Sequence, residues 1–142
     1  MSAGETVLTV EEANLRLPLV RAIVKDAVGL KQDVLARQDR LIELRERYPE
    51  KDDEASPYSE EVQDMEKSLH ADEQRIAGFA TELEDVGAEL MNAEQGLVEF
   101  DSVLEGRPVR LSWKFDEPEV CFWREEDDEP IDRKPLQLTE AG

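Results

Sequence analysis

Two tryptophans, each followed by a basic residue, are the side chains best suited to binding a small molecule. Trp113 precedes Lys114 and Trp123 precedes Arg124 in the C-terminal third of the sequence. Their indole rings could form the walls of a pocket in which Arg124 and Arg133 hold an anion. Large aromatic side chains more often anchor a sheet to its neighbours. We expect the anchoring role, with a ligand pocket of these two indoles and two arginines as the alternative.

The usual residue sets of metal sites and nucleophilic catalysis are missing. His70 is the only histidine, whereas a di-metal helical bundle needs a Glu-x-x-His motif on each of two helices. Cys121, the only cysteine, lies in an apolar stretch, where we expect a buried and inert thiol. The acidic run from Glu125 to Glu129 lacks the spacing and central glycine of an EF-hand loop. The sequence therefore predicts no metal, no cofactor and no catalytic residue.

The chain is strongly acidic, with 36 acidic against 17 basic side chains and a formal charge of −19. Such a charge repels phosphate backbones and anionic lipids, so we expect neither nucleic acid nor a membrane as a partner. A solvated surface explains the acidity most simply, and a basic protein partner is the alternative. The N-terminus has no signal-peptide pattern, and a single cysteine does not indicate an oxidising compartment. We expect a cytoplasmic protein.

Two long helices are predicted before the tryptophan-containing region. Thr9 and Glu12 form a capping box that starts a helix, which Pro18 should break or kink before the first long helix begins. Apolar residues then recur at the heptad spacing that keeps one seam of a helix facing a partner, and the second helix is predicted over residues 58–91. The seams are Val20, Ala27, Val34, Leu41 and Tyr48, and then Val62, Met65, Leu69, Asp72, Ile76, Phe79, Leu83, Val86 and Leu90.

A charged segment with two prolines, residues 48–58, separates the two helices. It predicts the turn of an antiparallel, coiled-coil-like helical hairpin. Folding the chain about residue 55 sets Arg37 level with Asp72, the polar interruptions of the two seams. Because a buried polar pair can fix the register of two helices, we expect an Arg37–Asp72 contact. The alternative is that each side chain reaches solvent separately.

The first long helix has more apolar surface than one neighbouring helix can cover. Val28, Leu35 and Ile42 form a second line about 100° to one side of the first seam. The C-terminal region is too small to cover the whole length of this helix. We therefore expect these three residues to form a homodimer interface in which two hairpins pair as a four-helix bundle.

After the helices, the apolar pattern becomes alternating, as in half-buried strands. Residues 96–124 are predicted to form a small antiparallel β unit, and residues 125–142 an acidic loop and tail. Together with a helical segment over residues 8–91, this predicts a single α+β domain over residues 1–142 that is mostly α. The strand candidates are Leu97–Phe100, Val109–Trp113 and Val120–Trp123.

Five motifs resemble those of an uncharacterised bacterial family catalogued as domain of unknown function 2203. With the helical hairpin between them, the similarity extends over residues 8–136. The motifs are Thr9-Val-Glu-Glu-Ala-Asn-Leu-Arg-Leu-Pro18, Gly96-Leu-Val-Glu-Phe100, Gly106-Arg-Pro-Val-Arg-Leu-Ser-Trp113, the segment Glu117 to Trp123, and Arg133-Lys-Pro-Leu136.

The resemblance implies an organisation without an activity, and the chain departs from the family pattern at three places. A cysteine commonly stands where this chain has Ser112, and a histidine where it has Arg124. Both departures remove potential metal ligands or acid–base groups. A glycine-rich stretch before the last motif is replaced here by acidic residues.

These observations favour a non-enzymatic protein-interaction or scaffolding protein that acts as a homodimer. The alternative is a small anionic ligand-binding protein or an enzyme, with its pocket near the two tryptophans.

Overall fold

The computed structural model describes residues 7–47 and 57–136, in which two long helices precede a five-stranded antiparallel sheet. This confirms the mostly helical α+β class. The predicted turn and the seam residue Tyr48 lie largely outside the described residues. The elements are α1 (Val10–Arg47), α2 (Pro57–Asp85), β1 (Ala88–Asn92), β2 (Leu97–Leu104), β3 (Arg107–Lys114), β4 (Phe122–Glu125) and β5 (Lys134–Pro135).

Helix α1 runs through Pro18 without a break, so the predicted short first helix is wrong. The capping box is present: Thr9 N–H donates to Glu12 Oε1 at 2.9 Å, and Glu12 N–H to Thr9 Oγ1 at 3.0 Å. Proline removes one helical hydrogen bond, but its own φ is compatible with a helix. Pro18 is on the exposed side of α1, where water can bond the freed carbonyl, while Leu17 and Val20 are buried in the core.

Contacts from the sheet region hold the first turns of α1 in place around Pro18. Asn14 Oδ1 accepts a hydrogen bond from Val120 N–H at 2.7 Å, and Arg16 Nη1 donates to the Val86 carbonyl at 2.8 Å. These tertiary contacts offset the local cost of the proline, which sequence pattern alone could not show.

Helix α2 ends at Asp85, six residues before the predicted end at residue 91. Gly87 has a φ of 85°, in the left-handed region where glycine ends helices, and its N–H donates to the Glu84 carbonyl at 3.0 Å. Leu90, the last residue of the predicted seam, lies in β1. Leu90 packs against the same core as α2, so it is apolar like the residues of the α2 seam. Its position in the sequence therefore matched the heptad spacing although it belongs to a strand.

The sheet is a meander in which each strand pairs with the next, in the order β1-β2-β3-β4-β5. The predicted strands correspond to β2, β3 and β4, whereas β1 and β5 were not predicted. Strands β2 and β3 join at Glu105 and Gly106, whose φ values of 53° and 80° are typical of a tight hairpin turn.

One face of the sheet, the core face, packs against the helices. Its side chains join those of α1 and the end of α2 in one buried cluster that includes Val20, Val24, Leu83, Phe100, Leu111 and Trp113. The part of the hairpin beyond the sheet has a separate small cluster of Val34, Leu41, Val62 and Leu69. We call residues 29–47 and 60–76 the distal hairpin.

In the distal hairpin, α1 and α2 are antiparallel and make polar contacts across their seam. Arg37 is hydrogen-bonded to Asp72 and also donates to Ser68 Oγ at 2.6 Å. Arg45 pairs with Glu66 further along. Neither helix, over the described residues, is long and apolar enough to cross a membrane.

Candidate functional site

The face of the sheet opposite the helices, the outer face, holds a cluster of buried polar side chains. Because side chains alternate along a strand, Glu99, Arg110, Ser112 and Arg124 project away from the core residues Phe100, Leu111 and Trp113. Despite this position, Glu99 and Ser112 are completely buried and Arg124 is nearly so.

Glu99 is the centre of this cluster and accepts hydrogen bonds from two arginines. Arg124 donates from Nε to Glu99 Oε2 and from Nη2 to Glu99 Oε1, both at 2.7 Å, in a bidentate pair. Arg110 Nε donates to Glu99 Oε1 at 3.0 Å. Both carboxylate oxygens are therefore used, which is how a fully buried charge is made tolerable.

Arg110 connects this pair to the edge of the sheet. Its Nη1 donates to Asp101 Oδ1 at 2.7 Å, and its Nη2 is hydrogen-bonded to Glu89 on β1. Burial lowers the pKa of Arg110, but the hydrogen bonds that Arg110 donates to these carboxylates together raise it above its usual value. The pKa of Arg124 is likewise raised, chiefly by its hydrogen bonds to Glu99. The two guanidinium groups of the cluster therefore remain positively charged.

The loop after β4 folds back on the same arginine. Arg124 Nη1 donates to the Asp128 carbonyl at 2.6 Å, and Lys134 Nζ to Asp128 Oδ2 at 3.0 Å. The hydrogen bond from Lys134 is the main reason that the pKa of Asp128 lies below its usual value. Part of the predicted acidic loop is thus fixed to the sheet.

The structure divides the four predicted ligand-pocket residues between the two faces of the sheet. Trp113 is fully buried on the core face and donates from Nε1 to the Glu117 carbonyl at 2.9 Å. Trp123 is half-buried against the same core, with Lys134 Nζ 4.8 Å from its ring centroid. Arg124 is on the outer face, and Arg133 lies over the Phe122 ring there.

Arg133, like Arg124, already has a carboxylate partner. Its Nη2 donates to Glu117 Oε1 and Oε2 at 2.7 and 2.6 Å. Glu117 Oε1 also accepts from Lys114 N–H at 2.9 Å, which closes the turn between β3 and β4. The two indoles and two arginines are therefore not brought together around one space.

Cys121 and His70 are placed apart from the polar cluster. Cys121 is half-buried rather than buried, and the pKa of its thiol is raised by burial, with smaller contributions from Glu119 and Glu117. A raised pKa keeps the thiol protonated at neutral pH. His70 is exposed on α2. Among the described residues, no group of three His, Cys, Asp or Glu side chains could hold a metal ion.

Of the three predicted dimer residues, Val28 is partly covered by its own chain. It packs against the core cluster beside Gly96, whereas Leu35 is half-buried and Ile42 is 53% exposed.

Sequence reasoning missed Glu99, Arg110 and Ser112 as members of a site. The available signal was Glu99 itself, a charged residue within the otherwise apolar run Leu97 to Phe100. A strand that is buried on both faces tolerates a carboxylate only where a positively charged or hydrogen-bonding partner is present. The partner could not be identified without the strand register. That register also places Ser112 opposite both Glu99 and Phe122, and Arg124 opposite Arg110. Ser112 and Arg124, the positions where the resemblance implies a cysteine and a histidine, therefore lie together around Glu99.

Comparison with known proteins gives one match. Searches of curated proteins and of solved structures found nothing similar. A family model described as an uncharacterized conserved protein (DUF2203) matches residues 6–136, which is nearly the whole chain and includes both helices and the sheet. The chain therefore belongs to this family of uncharacterised conserved proteins.

Proposed function

We propose that this protein is a non-enzymatic interaction or scaffolding protein that acts as a homodimer through its distal hairpin. The observation that carries the proposal is an apolar face of α1 that is covered in one half of the helix and uncovered in the other.

The covered half of this face lies against the sheet. Leu17 and Val24, seven residues apart, are buried, and Val28 packs against the same core one turn later. A step of seven residues returns to almost the same side of a helix. Continuing from Val28 in steps of seven gives Leu35 and Ile42, which lie beyond the sheet and remain partly or largely exposed.

A second copy of the chain fits this face, because the surface is complementary to itself. If two α1 helices pack antiparallel about a two-fold axis between residues 38 and 39, Leu35 of each lies level with Ile42 of the other. The same register sets Lys31 level with Glu46, a pair of opposite charges on each side of the axis. A two-fold interface requires such self-complementarity.

The size of the face agrees with a weak dimer. Residues 28–46 span about 27 Å, and a face two helices wide gives roughly 540 Å² per chain, near the lower limit of stable interfaces. Two hairpins paired in this way form a four-helix, coiled-coil-like bundle. We expect dissociation in the micromolar range.

Sedimentation across the micromolar range tests the proposal. Ile42→Glu should leave the protein monomeric, whereas Ile131→Glu, at an apolar position that is 86% exposed in the C-terminal loop, should dimerise like the unmodified chain. A monomer at every concentration would rule out the homodimer. Equal dimerisation of both variants would exclude this face.

A charge exchange tests the register separately. Lys31→Glu and Glu46→Lys should each weaken the dimer by placing like charges level with one another, and the double variant should restore it. If the double variant is as weak as the worse single variant, the antiparallel register is wrong.

A further inference from the structure

Hydrogen-bond donors without partners are grouped around one aromatic ring on the outer face of the sheet. Of the three buried side-chain atoms in the described ranges that lack a hydrogen-bond partner, two are Ser112 Oγ and Arg133 Nε. Ser112 lies directly opposite Phe122 in the sheet, and the Arg133 guanidinium carbon is 4.1 Å from the Phe122 ring centroid. Both groups therefore border the same ring.

Their burial makes these unpaired groups significant. Ser112 is completely buried, and the Arg133 side chain is only 9% exposed. A buried donor without a partner lowers stability, so native proteins usually provide a protein group, a water molecule or a ligand to accept its hydrogen bond.

A third donor adjoins them. Lys114 is two residues from Ser112 along β3, so its side chain projects from the same face. Within residues 7–47 and 57–136 the Lys114 ammonium makes no hydrogen bond or ion pair. Lys114 is only half-buried, so this part of the outer face is in contact with solvent. All three free groups can donate a hydrogen bond.

The nearby carboxylates do not oppose an anion at this position. Glu99 is neutralised by Arg124 and Arg110, and Glu117 by Arg133. Arg110 also pairs with Asp101 and Glu89, so four carboxylates face three arginines, and the positive charge of Lys114 brings this surface close to neutral within a chain whose formal charge is −19. The ammonium of Lys114 is the charge left to attract a ligand.

We propose that Ser112, Lys114 and Arg133 form a binding site for a small oxyanion beside the Phe122 ring. A hydroxyl, an ammonium and a guanidinium N–H together suit a group with several acceptor oxygens, such as a phosphate or phosphoryl group. The site differs from the pocket predicted between the tryptophans, with which it shares only Arg133. It is also independent of the dimer, because it lies on the sheet and not on the distal hairpin.

Thermal unfolding with inorganic phosphate as the probe tests this site. Sodium sulfate and sodium acetate are parallel arms, and sodium chloride at equal ionic strength is the reference. A ligand that binds only the folded chain raises the melting temperature in a saturable way. We expect saturable increases with phosphate and sulfate that exceed any effect of acetate. Failure of phosphate to exceed chloride would overturn the proposal.

Matched variants locate the effect. Ser112→Ala and Lys114→Met should each raise the half-saturating phosphate concentration roughly tenfold, as loss of a hydrogen bond to a charged group does. Lys25→Met, which removes the same charge from an exposed position on α1, should leave it unchanged. Equal responses of the two lysine variants would show nonspecific screening and would refute the site, as would an unaltered phosphate response in Ser112→Ala.

Amide chemical shifts provide a second readout that does not depend on stability. Phosphate should shift the amide signals of Ser112, Lys114, Phe122 and Arg133 in the unmodified chain at the same half-saturating concentration. Saturable shifts confined to other parts of the chain would refute this location.

Discussion

Removal of the Glu99 carboxylate should destabilise the protein more than any other single change of charge on the sheet. Glu99 is fully buried and accepts three hydrogen bonds from Arg124 and Arg110. In Glu99→Ala the guanidinium of Arg124, 7% exposed, would remain in the protein without its carboxylate. Breaking a buried pair in this way costs about 3–5 kcal/mol. That is a large part of the roughly 5–15 kcal/mol that stabilises a typical domain.

Glu89→Ala is the matched control. It removes the same charge and also a partner of Arg110, but the Glu89 side chain is 53% exposed, so its loss should cost less than about 1 kcal/mol. Urea unfolding followed by far-ultraviolet circular dichroism gives both free energies of unfolding. Similar values for the two variants would refute the reasoning from burial.

A double variant distinguishes two causes of the lost stability: an arginine left buried without a partner, and the loss of the ion pair itself. Glu99→Leu combined with Arg124→Met removes both charges and keeps apolar volume, and buried pairs replaced in this way often lose little stability. We expect the double variant to regain most of the stability that Glu99→Ala loses. If it remains as unstable as Glu99→Ala, the pair has a stabilising role beyond mutual neutralisation.

Three further predictions concern local features of the fold. Pro18→Ala should raise the free energy of unfolding by about 1–3 kcal/mol, because it restores a helical N–H at an exposed position; an unchanged urea midpoint would contradict this. Gly96→Ala should destabilise the protein, because the φ of Gly96 is 67° and the added Cβ would lie 2.6 Å from Phe115 Cβ. The control Gly78→Ala, in α2 with open space around it, should stabilise the protein by up to about 1 kcal/mol. A hydrogen bond from Arg37 holds the pKa of Asp72 below its usual value of 3.8. This contribution to stability is therefore present above the usual pKa and is lost as the pH falls through the lower pKa of the folded state. Asp72→Asn should therefore flatten the fall in melting temperature at acidic pH, and an unchanged pH profile would count against the pair.

Local patterns predicted most of the secondary structure because their causes are local. The capping box of Thr9 and Glu12 needs only neighbouring residues, and the heptad spacing of the distal hairpin reports one helix face. Alternating apolar residues likewise predicted β2 and β3. The end of α2 was missed because the inward residues of β1 continue the same spacing after Gly87, so the apolar pattern alone could not distinguish a helix from a strand.

The sequence by itself determined the two helices, the strands of the central hairpin, the acidic character of the chain and its resemblance to an uncharacterised family. The continuity of α1 through Pro18 was decided by the tertiary structure, since hydrogen bonds to Val86 and Val120 hold the helical turn just before the proline. The candidate sites also depended on it. Glu99, Arg110, Ser112 and Arg124 are separated in the chain by up to 25 residues and become neighbours only through strand pairing. Strand register is set by the packing of the whole core face, so no local pattern could place these side chains together.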